Sequence, residues 1–325
     1  MLQPTDGIAA ITHRHIQAGD LTMHIAEAGE GPLVLLLHGF PESWYSWRHQ
    51  LTALAAAGYH AVAPDQRGYG ETGPPGDASH PADVGDYTIL HLTGDVFALM
   101  DALGEERAVV AGHDWGAPVA WHCALFRPDR IRGVVGLSVA YRPRGSAPPV
   151  ATMRAALGES FYMVYFQQPG VADAELSRDP ARTFRTLLYG LSGDAPGMAP
   201  VPGGGLLDTL TAPAELPSWL TQQDIDTYVA QFAQAGFTGP LNWYRNLDRN
   251  FELTSAWKHA PVLVPALFLA GERDPVLGFI SPAGLERAVP QLTTALTVHG
   301  CGHWIQQERP AEVSAAMIRF LRDLQ

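Results

Sequence analysis

Gly112-His113-Asp114-Trp115-Gly116 sets a carboxylate between two glycines, directly after the apolar run Arg107-Ala-Val-Val-Ala and before a helix-like stretch. The form is Gly-x-nucleophile-x-Gly. Small flanking residues let a strand turn sharply into a helix and push the central side chain into the open. A carboxylate in that place, rather than Ser or Cys, constrains the reaction. A serine attacking a saturated carbon would leave an ether, which water does not easily reopen. A carboxylate leaves an ester, whose carbonyl an activated water can cleave, so Asp114 points to displacement at an sp³ carbon. With an ordinary pKa of about 3.9 it is ionised at neutral pH, and this first step needs no base. An Asp before a helix is also an ordinary cap, so the chemical reading depends on partners elsewhere in the chain.

Those partners are present. The run 33–37 ends in His38-Gly39-Phe40-Pro41, where a turn can aim the Phe40 backbone N–H at the same point as the Trp115 N–H. Two such donors would hold the oxyanion of a tetrahedral intermediate, and the two side chains would lie against a substrate. The alternative is a plain Gly-Pro turn. An acid and a base are expected in later strand-end loops, in the order nucleophile, acid, His. The run 262–270 ends in Gly271-Glu272-Arg273-Asp274, and the next ends in His299-Gly300-Cys301-Gly302-His303-Trp304. Asp274 is expected to fix the tautomer of His303, and His303 to deprotonate the hydrolytic water. Glu272 and His299 are the rivals. The run 134–139 ends in Ala140-Tyr141 and offers no acid there. His38 and His113 read as hydrogen-bonded supports, and Cys301 as a small packing residue.

The elements that must position these groups follow from the apolar pattern. Strands are expected at 33–37, 61–64, 108–111, 134–139, 262–270 and 295–298, apolar throughout as strands buried on both faces should be. Helices are expected at 44–57, 89–103, 117–125 and 311–324, with Gly104 stopping the second. The alternation implies a mostly parallel sheet flanked by helices. It breaks between 141 and 257, a stretch rich in aromatics, Pro and Gly, which reads as an α-helical insertion over the sheet. The expected organisation is thus a core of 1–140 and 258–325 with a helical cap of 141–257. Within the cap, 190–217 reads as a long loop. Gly68-Tyr69-Gly70-Glu71-Thr72-Gly73 formally matches a dinucleotide fingerprint, but Pro74-Pro75-Gly76 cannot open a helix. Asp65-Gln66-Arg67-Gly68-Tyr69-Gly70 reads instead as a structural turn on the catalytic edge.

Composition narrows the classes further. At 46% hydrophobic and 17% charged residues, the chain is that of a globular protein. Its 33 acidic against 21 basic residues give a formal charge of −12, a balance that repels nucleic acid and anionic membrane surfaces. Two cysteines are too few for a disulfide scaffold, and no leader or membrane-spanning run stands out, so a reduced cytoplasmic enzyme is expected. No metal or organic cofactor is implied. Monomer and homodimer both remain open.

With these residues in view, the sequence resembles the soluble epoxide hydrolases of bacterial and mycobacterial type, which have the α/β-hydrolase fold with an inserted helical cap. The resemblance runs over nearly the whole chain. It rests on His38-Gly-Phe-Pro, Asp65-Gln-Arg-Gly-Tyr-Gly, Gly112-His-Asp-Trp-Gly and Gly300-Cys-Gly-His-Trp, and on Phe161-Tyr-Met-Val-Tyr-Phe-Gln and Gly239-Pro-Leu-Asn-Trp-Tyr-Arg-Asn in the cap. It implies a small apolar epoxide as substrate and two cap tyrosines on its oxygen, by motif position Tyr162 and Tyr244, with Tyr165 as the rival of Tyr162. The chemistry agrees. Opening the ring creates an alkoxide that needs a donor, and a tyrosine with pKa about 10 keeps its O–H at neutral pH. The loop at 190–217 has no counterpart in the resemblance, and 325 residues leave no room for the phosphatase domain of two-domain vertebrate members. A haloalkane dehalogenase would use the same Asp, His and acid, with Trp115 on the halide. A tyrosine pair suits an alkoxide better. A non-catalytic ligand receptor on the same fold would not need the complete set.

Overall fold

The computed structural model describes residues 10–76, 82–199, 201 and 203–324. Eight strands form one sheet in the order β1-β2-β4-β3-β5-β6-β7-β8. They are β1 (Thr12–Ala18), β2 (Leu21–Ala28), β3 (Leu33–Leu37), β4 (His60–Pro64), β5 (Ala108–His113), β6 (Ile131–Leu137), β7 (Ala266–Gly271) and β8 (Leu292–Val298). β1 and β2 pair antiparallel, β2 joins β4 antiparallel, and every later pairing is parallel. Helices α1 (Arg48–Ala56), α2 (Ile89–Ala102) and α3 (Gly116–Phe126) follow β3, β4 and β5. β3 is buried along its whole length because its residues serve two cores in alternation. Leu33, Leu35 and Leu37 meet the α2 and α3 face, and Val34 and Leu36 meet α1 and the last helix.

Between β6 and β7 the described residues form helices and no strand: α4 (Pro149–Leu157), α5 (Tyr162–Tyr165), α6 (Val171–Ser177), α7 (Pro180–Gly190), α8 (Gln222–Ala235), α9 (Thr238–Arg245) and α10 (Leu247–Leu253). The chain ends with α11 (Leu285–Ala288), α12 (Ile305–Glu308) and α13 (Pro310–Asp323). The stretch 190–217 is loop apart from a 3₁₀ turn at Leu207–Thr209, with 200 and 202 outside the described residues. Among the described residues, no helix is long and apolar enough to cross a membrane.

Three expectations need correcting. The β1–β2 hairpin was not expected. Its first strand, Thr-His-Arg-His-Ile-Gln-Ala, is largely exposed and carries polar residues on both faces, so no apolar alternation betrays it. The two-residue turn Gly19-Asp20, with Gly19 at φ 61, was the available signal. The expected strand at 262–270 begins only at Ala266, because Pro265 interrupts the run. β8 is longer than expected, and its residues 293–297 are exposed rather than doubly buried. It is the last strand and has one neighbour, so its threonines can lie at the surface. The segment 68–73 closes on itself through a Tyr69–Gly73 bridge instead of opening a helix, as the rejected nucleotide reading required.

Asp114 sits where β5 turns into α3, with φ 48, a conformation few non-glycine residues adopt. The glycines make the turn possible by close approach. A Cβ on Gly112 would strike the Gly116 carbonyl, and one on Gly116 would strike the carbonyls of Leu37 and His38. Rigid backbone cannot yield as a side chain would. Gly116→Ala is therefore expected to lower stability by about 1–3 kcal/mol, read as a reduced urea midpoint at unchanged slope. A midpoint equal to that of the unsubstituted protein would show that the turn relaxes freely.

Candidate active site

Parallel strands deliver their following loops to one edge, and four of those loops meet here. β3 leads to Phe40, β5 to Asp114, β7 to Asp274 and β8 to His303. The Phe40 N–H donates to Asp114 Oδ1 at 2.7 Å, while Asp114 Oδ2 lies 3.4 Å from His303 Nε2. The opposite ring nitrogen, Nδ1, is 3.1 Å from both oxygens of Asp274. Asp274 Oδ1 also accepts the Val276 N–H at 2.9 Å, which fixes the carboxylate at the start of a 3₁₀ turn. The three expected residues thus form one line, Asp274–His303–Asp114. The rivals do not join it. His299 is exposed and pairs with Glu272, which accepts the Gly300 N–H at the surface. Among the described residues, no group of three or more His, Cys, Asp or Glu could hold a metal ion.

The electrostatics follow from this geometry. Burial opposes charge on Asp114, but its hydrogen bond to His303, the His303 charge and the Phe40 amide hold the carboxyl below its ordinary range. Burial likewise disfavours an imidazolium, yet Asp274 and Asp114 together hold His303 well above the usual histidine value. The geometry therefore favours the imidazolium form of His303 facing an ionised Asp114.

The His303 backbone is fixed from two sides. Its carbonyl accepts from His113 Nε2 at 2.8 Å and Ser138 Oγ at 2.9 Å, and its N–H donates to the Leu191 carbonyl at 2.9 Å. His113 Nδ1 in turn meets Glu42 Oε2 at 2.7 Å. Glu42 is fully buried; it also accepts the Gly39 N–H and the side-chain amides of Gln306 and Gln307. One carboxylate therefore joins the Phe40 turn, the Asp114 turn and the loop that carries His303. His38 Nε2 accepts the Gln66 N–H at 3.1 Å, which ties the 65–70 turn to the same edge. His38 and His113 are supports, as expected. Glu42 was not singled out, and Pro41-Glu42 carries no local sign of burial.

Tyr162 opens α5, Tyr244 lies near the end of α9, and their ring centroids are 6.0 Å apart. They face Asp114 and His303 across a narrow cavity that all four residues line. Burial, reinforced by the Asp114 charge, raises both hydroxyls well above the ordinary tyrosine value, so both stay protonated donors. The Gln167 amide donates to the Tyr244 carbonyl at 3.0 Å and to Met163 O at 2.7 Å, joining the two segments that carry the pair. α9 is anchored to the core through Trp243 Nε1, which donates to Arg67 O at 3.1 Å. Tyr165, the rival, turns away toward Glu175 and lines a separate surface hollow.

Phe40 lines the cavity, while Trp115 stands behind Tyr244, its ring edge-to-face with that tyrosine at 5.2 Å between centroids. The rest of the wall is apolar: Pro41, Val276 and Phe279 from the core, Leu187 and Leu191 around the end of α7, and Met198 and Leu206 from the 190–217 loop. None of these wall residues was singled out from the sequence. The only available signal was a long loop in an enzyme-like chain.

Comparison with known proteins agrees with this geometry. The family described as alpha/beta hydrolase fold matches residues 32–193. Epoxide hydrolase A of Mycobacterium tuberculosis is 46% identical over 327 residues, covering 98% of this chain and 99% of that protein. Epoxide hydrolase 3 of Siraitia grosvenorii is 45% identical, with 96% and 98% covered. The crystal structure of epoxide hydrolase A from Mycobacterium thermoresistibile superposes with a TM-score of 0.91 at 49% identity, covering 97% of this chain and 99% of that one. That of an epoxide hydrolase from an endophytic Streptomyces gives 0.90 at 44%, with 97% and 96% covered. The chain belongs to the epoxide hydrolases of the α/β-hydrolase fold.

Proposed function

We propose that the protein converts small apolar epoxides to vicinal diols through a covalent ester on Asp114, with the helical segment 141–257 acting as a cap that supplies the ring-opening donors. The observation that carries this reading is the line Asp274–His303–Asp114 facing two protonated tyrosines across one largely apolar cavity. In the first step an Asp114 oxygen attacks one epoxide carbon. The ring C–O bond breaks, and its electron pair moves to the ring oxygen. Tyr162 and Tyr244 hydrogen-bond that oxygen, and one of them supplies a proton. In the second step His303, oriented by Asp274, removes a proton from water as the water attacks the ester carbonyl. The Phe40 and Trp115 amides are the donors for the resulting oxyanion. The bond from the carbonyl carbon to the alkyl oxygen then breaks, the alkyl oxygen takes up the proton of the new Asp114 carboxyl group, and the diol leaves with an oxygen that began in Asp114. The proton that His303 released on becoming neutral restores the tyrosine, so the site returns to its starting charges.

The donor preference supports an epoxide over a carbon–halogen substrate. Tyr162 and Tyr244 line the cavity, whereas the Trp115 ring packs edge-to-face behind Tyr244 and is not among the lining residues. Asp114→Ala is expected to abolish diol formation, whereas His303→Gln should open the ring and then stall. Intact mass spectrometry after styrene oxide should therefore show His303→Gln heavier by the mass of the substrate. An unmodified spectrum would overturn the covalent route or the choice of base.

The charge pattern sets a pH dependence with a definite sign. Ester formation neutralises Asp114 and removes one of the two charges that hold His303 up, so its pKa falls and it becomes competent as a base. Hydrolysis needs the neutral imidazole and slows as pH falls through the pKa of the esterified state. Ring opening needs only ionised Asp114, whose pKa is held low, so it persists further into acid. In single-turnover quench experiments on the unsubstituted enzyme, the ester fraction should rise as pH is lowered from alkaline to mildly acidic. A pH-independent ester fraction would contradict this assignment of His303.

A further inference from the structure

Glu308 has no part in the reaction steps above, yet three backbone amides converge on its carboxylate. It is 5% exposed. Oε2 accepts the N–H of Gly302 and of Gly193, both at 2.9 Å, and Oε1 accepts the N–H of Trp304 at 3.0 Å. Gly302 and Trp304 flank the base, whereas Gly193 belongs to the helical segment over the site. We propose that Glu308 is a positioning residue that clamps 191–193 onto the base loop, so that one buried carboxylate sets both the alignment of His303 and the pocket wall at Leu191. The proposal rests on the mechanism proposed above.

Further observations point the same way. The two backbones meet with no side chain between them. A Cβ on Gly302 would strike Gly193 N and Ser192 C, and one on Gly193 would lie 2.7 Å from Cys301 Cα. The His303 N–H donates to Leu191 O at 2.9 Å, and Arg273 Nη1 donates to Gly193 O at 3.0 Å. Leu191 itself lines the cavity beside His303. A carboxylate suits this junction because its two oxygens offer about four acceptor sites and no donor. A glutamine of the same shape has one oxygen and would turn an NH₂ toward at least one of the three amides. The unpaired buried amide would displace the loop. His303 must meet a water and the ester carbonyl, and Tyr162 and Tyr244 are held on other segments. The loss therefore falls on ester hydrolysis rather than on ring opening.

The test is rapid-quench single turnover of styrene oxide by the unsubstituted enzyme, Glu308→Gln, Gly193→Ala and the double variant, below the melting temperature of each. A misplacement of the base by about 1 Å is expected to slow ester hydrolysis about 10²-fold in Glu308→Gln. Ring opening should change far less, and the ester should accumulate. Gly193→Ala, which attacks the same clamp from the other side, should slow the same step, and the double variant should be no slower than Glu308→Gln alone. If Gly193→Ala does not fold, Arg273→Gln takes its place by removing the second tie to Gly193. Ester hydrolysis in Glu308→Gln within about twofold of the unsubstituted rate would overturn the proposal. So would a slow Glu308→Gln beside an unaffected partner variant, since Glu308 would then act inside the base loop alone. Failure of the unsubstituted enzyme to form any ester would instead remove the covalent mechanism on which the clamp depends.

Discussion

The structure is organised around the burial of one imidazole between two carboxylates. Taking three ionisable groups out of water costs several kcal/mol per ion unless each remaining lone pair and proton finds a partner. Here the partners are specific. Asp114 has the Phe40 amide, Asp274 has the Val276 amide, and each nitrogen of His303 faces a carboxylate. Asp114 and His303 each favour the ionised form of the other. In the proposed reaction, alkylation of Asp114 would delete one of the two charges that favour the imidazolium and so free the imidazole to act as a base.

This demand reaches beyond the reacting residues. An imidazole held at 3.1 Å and 3.4 Å from two carboxylates works only if its backbone does not drift. Its carbonyl and its N–H are both hydrogen-bonded, the former by His113 and Ser138, the latter by Leu191. The fully buried Glu42 then links His113 to the Phe40 turn and to Gln306 and Gln307. The supporting layer thus uses further buried polar groups, each hydrogen-bonded across elements distant in sequence.

How much was legible in the sequence follows from how local each signal is. Asp114, Asp274 and His303 were readable because strand ends punctuate them: glycines flank the nucleophile, and the acid and the base follow apolar runs in a fixed chain order. The sheet from β3 to β7 was readable because doubly buried strands are apolar throughout. β1 was not, and β8 only in its second half, since edge strands need no buried face and carry His, Arg or Thr toward solvent. Glu42 escaped because its burial is created by donors from residues 39, 113, 306 and 307, which no local window connects. The pocket wall escaped for a similar reason. Leu187, Leu191, Met198 and Leu206 are ordinary apolar residues until the fold turns them toward Asp114. Tyr162 and Tyr244 could be picked out of ten tyrosines only by resemblance, since composition and spacing single out neither.

The division of labour between the two halves of the site explains why the chain spends so many residues between β6 and β7. The sheet edge supplies groups that must be ionised or must exchange protons, and they sit on short, glycine-tightened loops. The helical segment supplies groups that must stay neutral. Tyr162 and Tyr244 remain protonated because aromatic neighbours such as Phe40, Phe166 and Phe279 surround them and the Asp114 charge faces them. A phenol so placed resists ionisation while that charge is present. In the proposed reaction it would donate to an oxygen that becomes an alkoxide as the same charge is consumed, so the donors would favour the transition state over the bound epoxide.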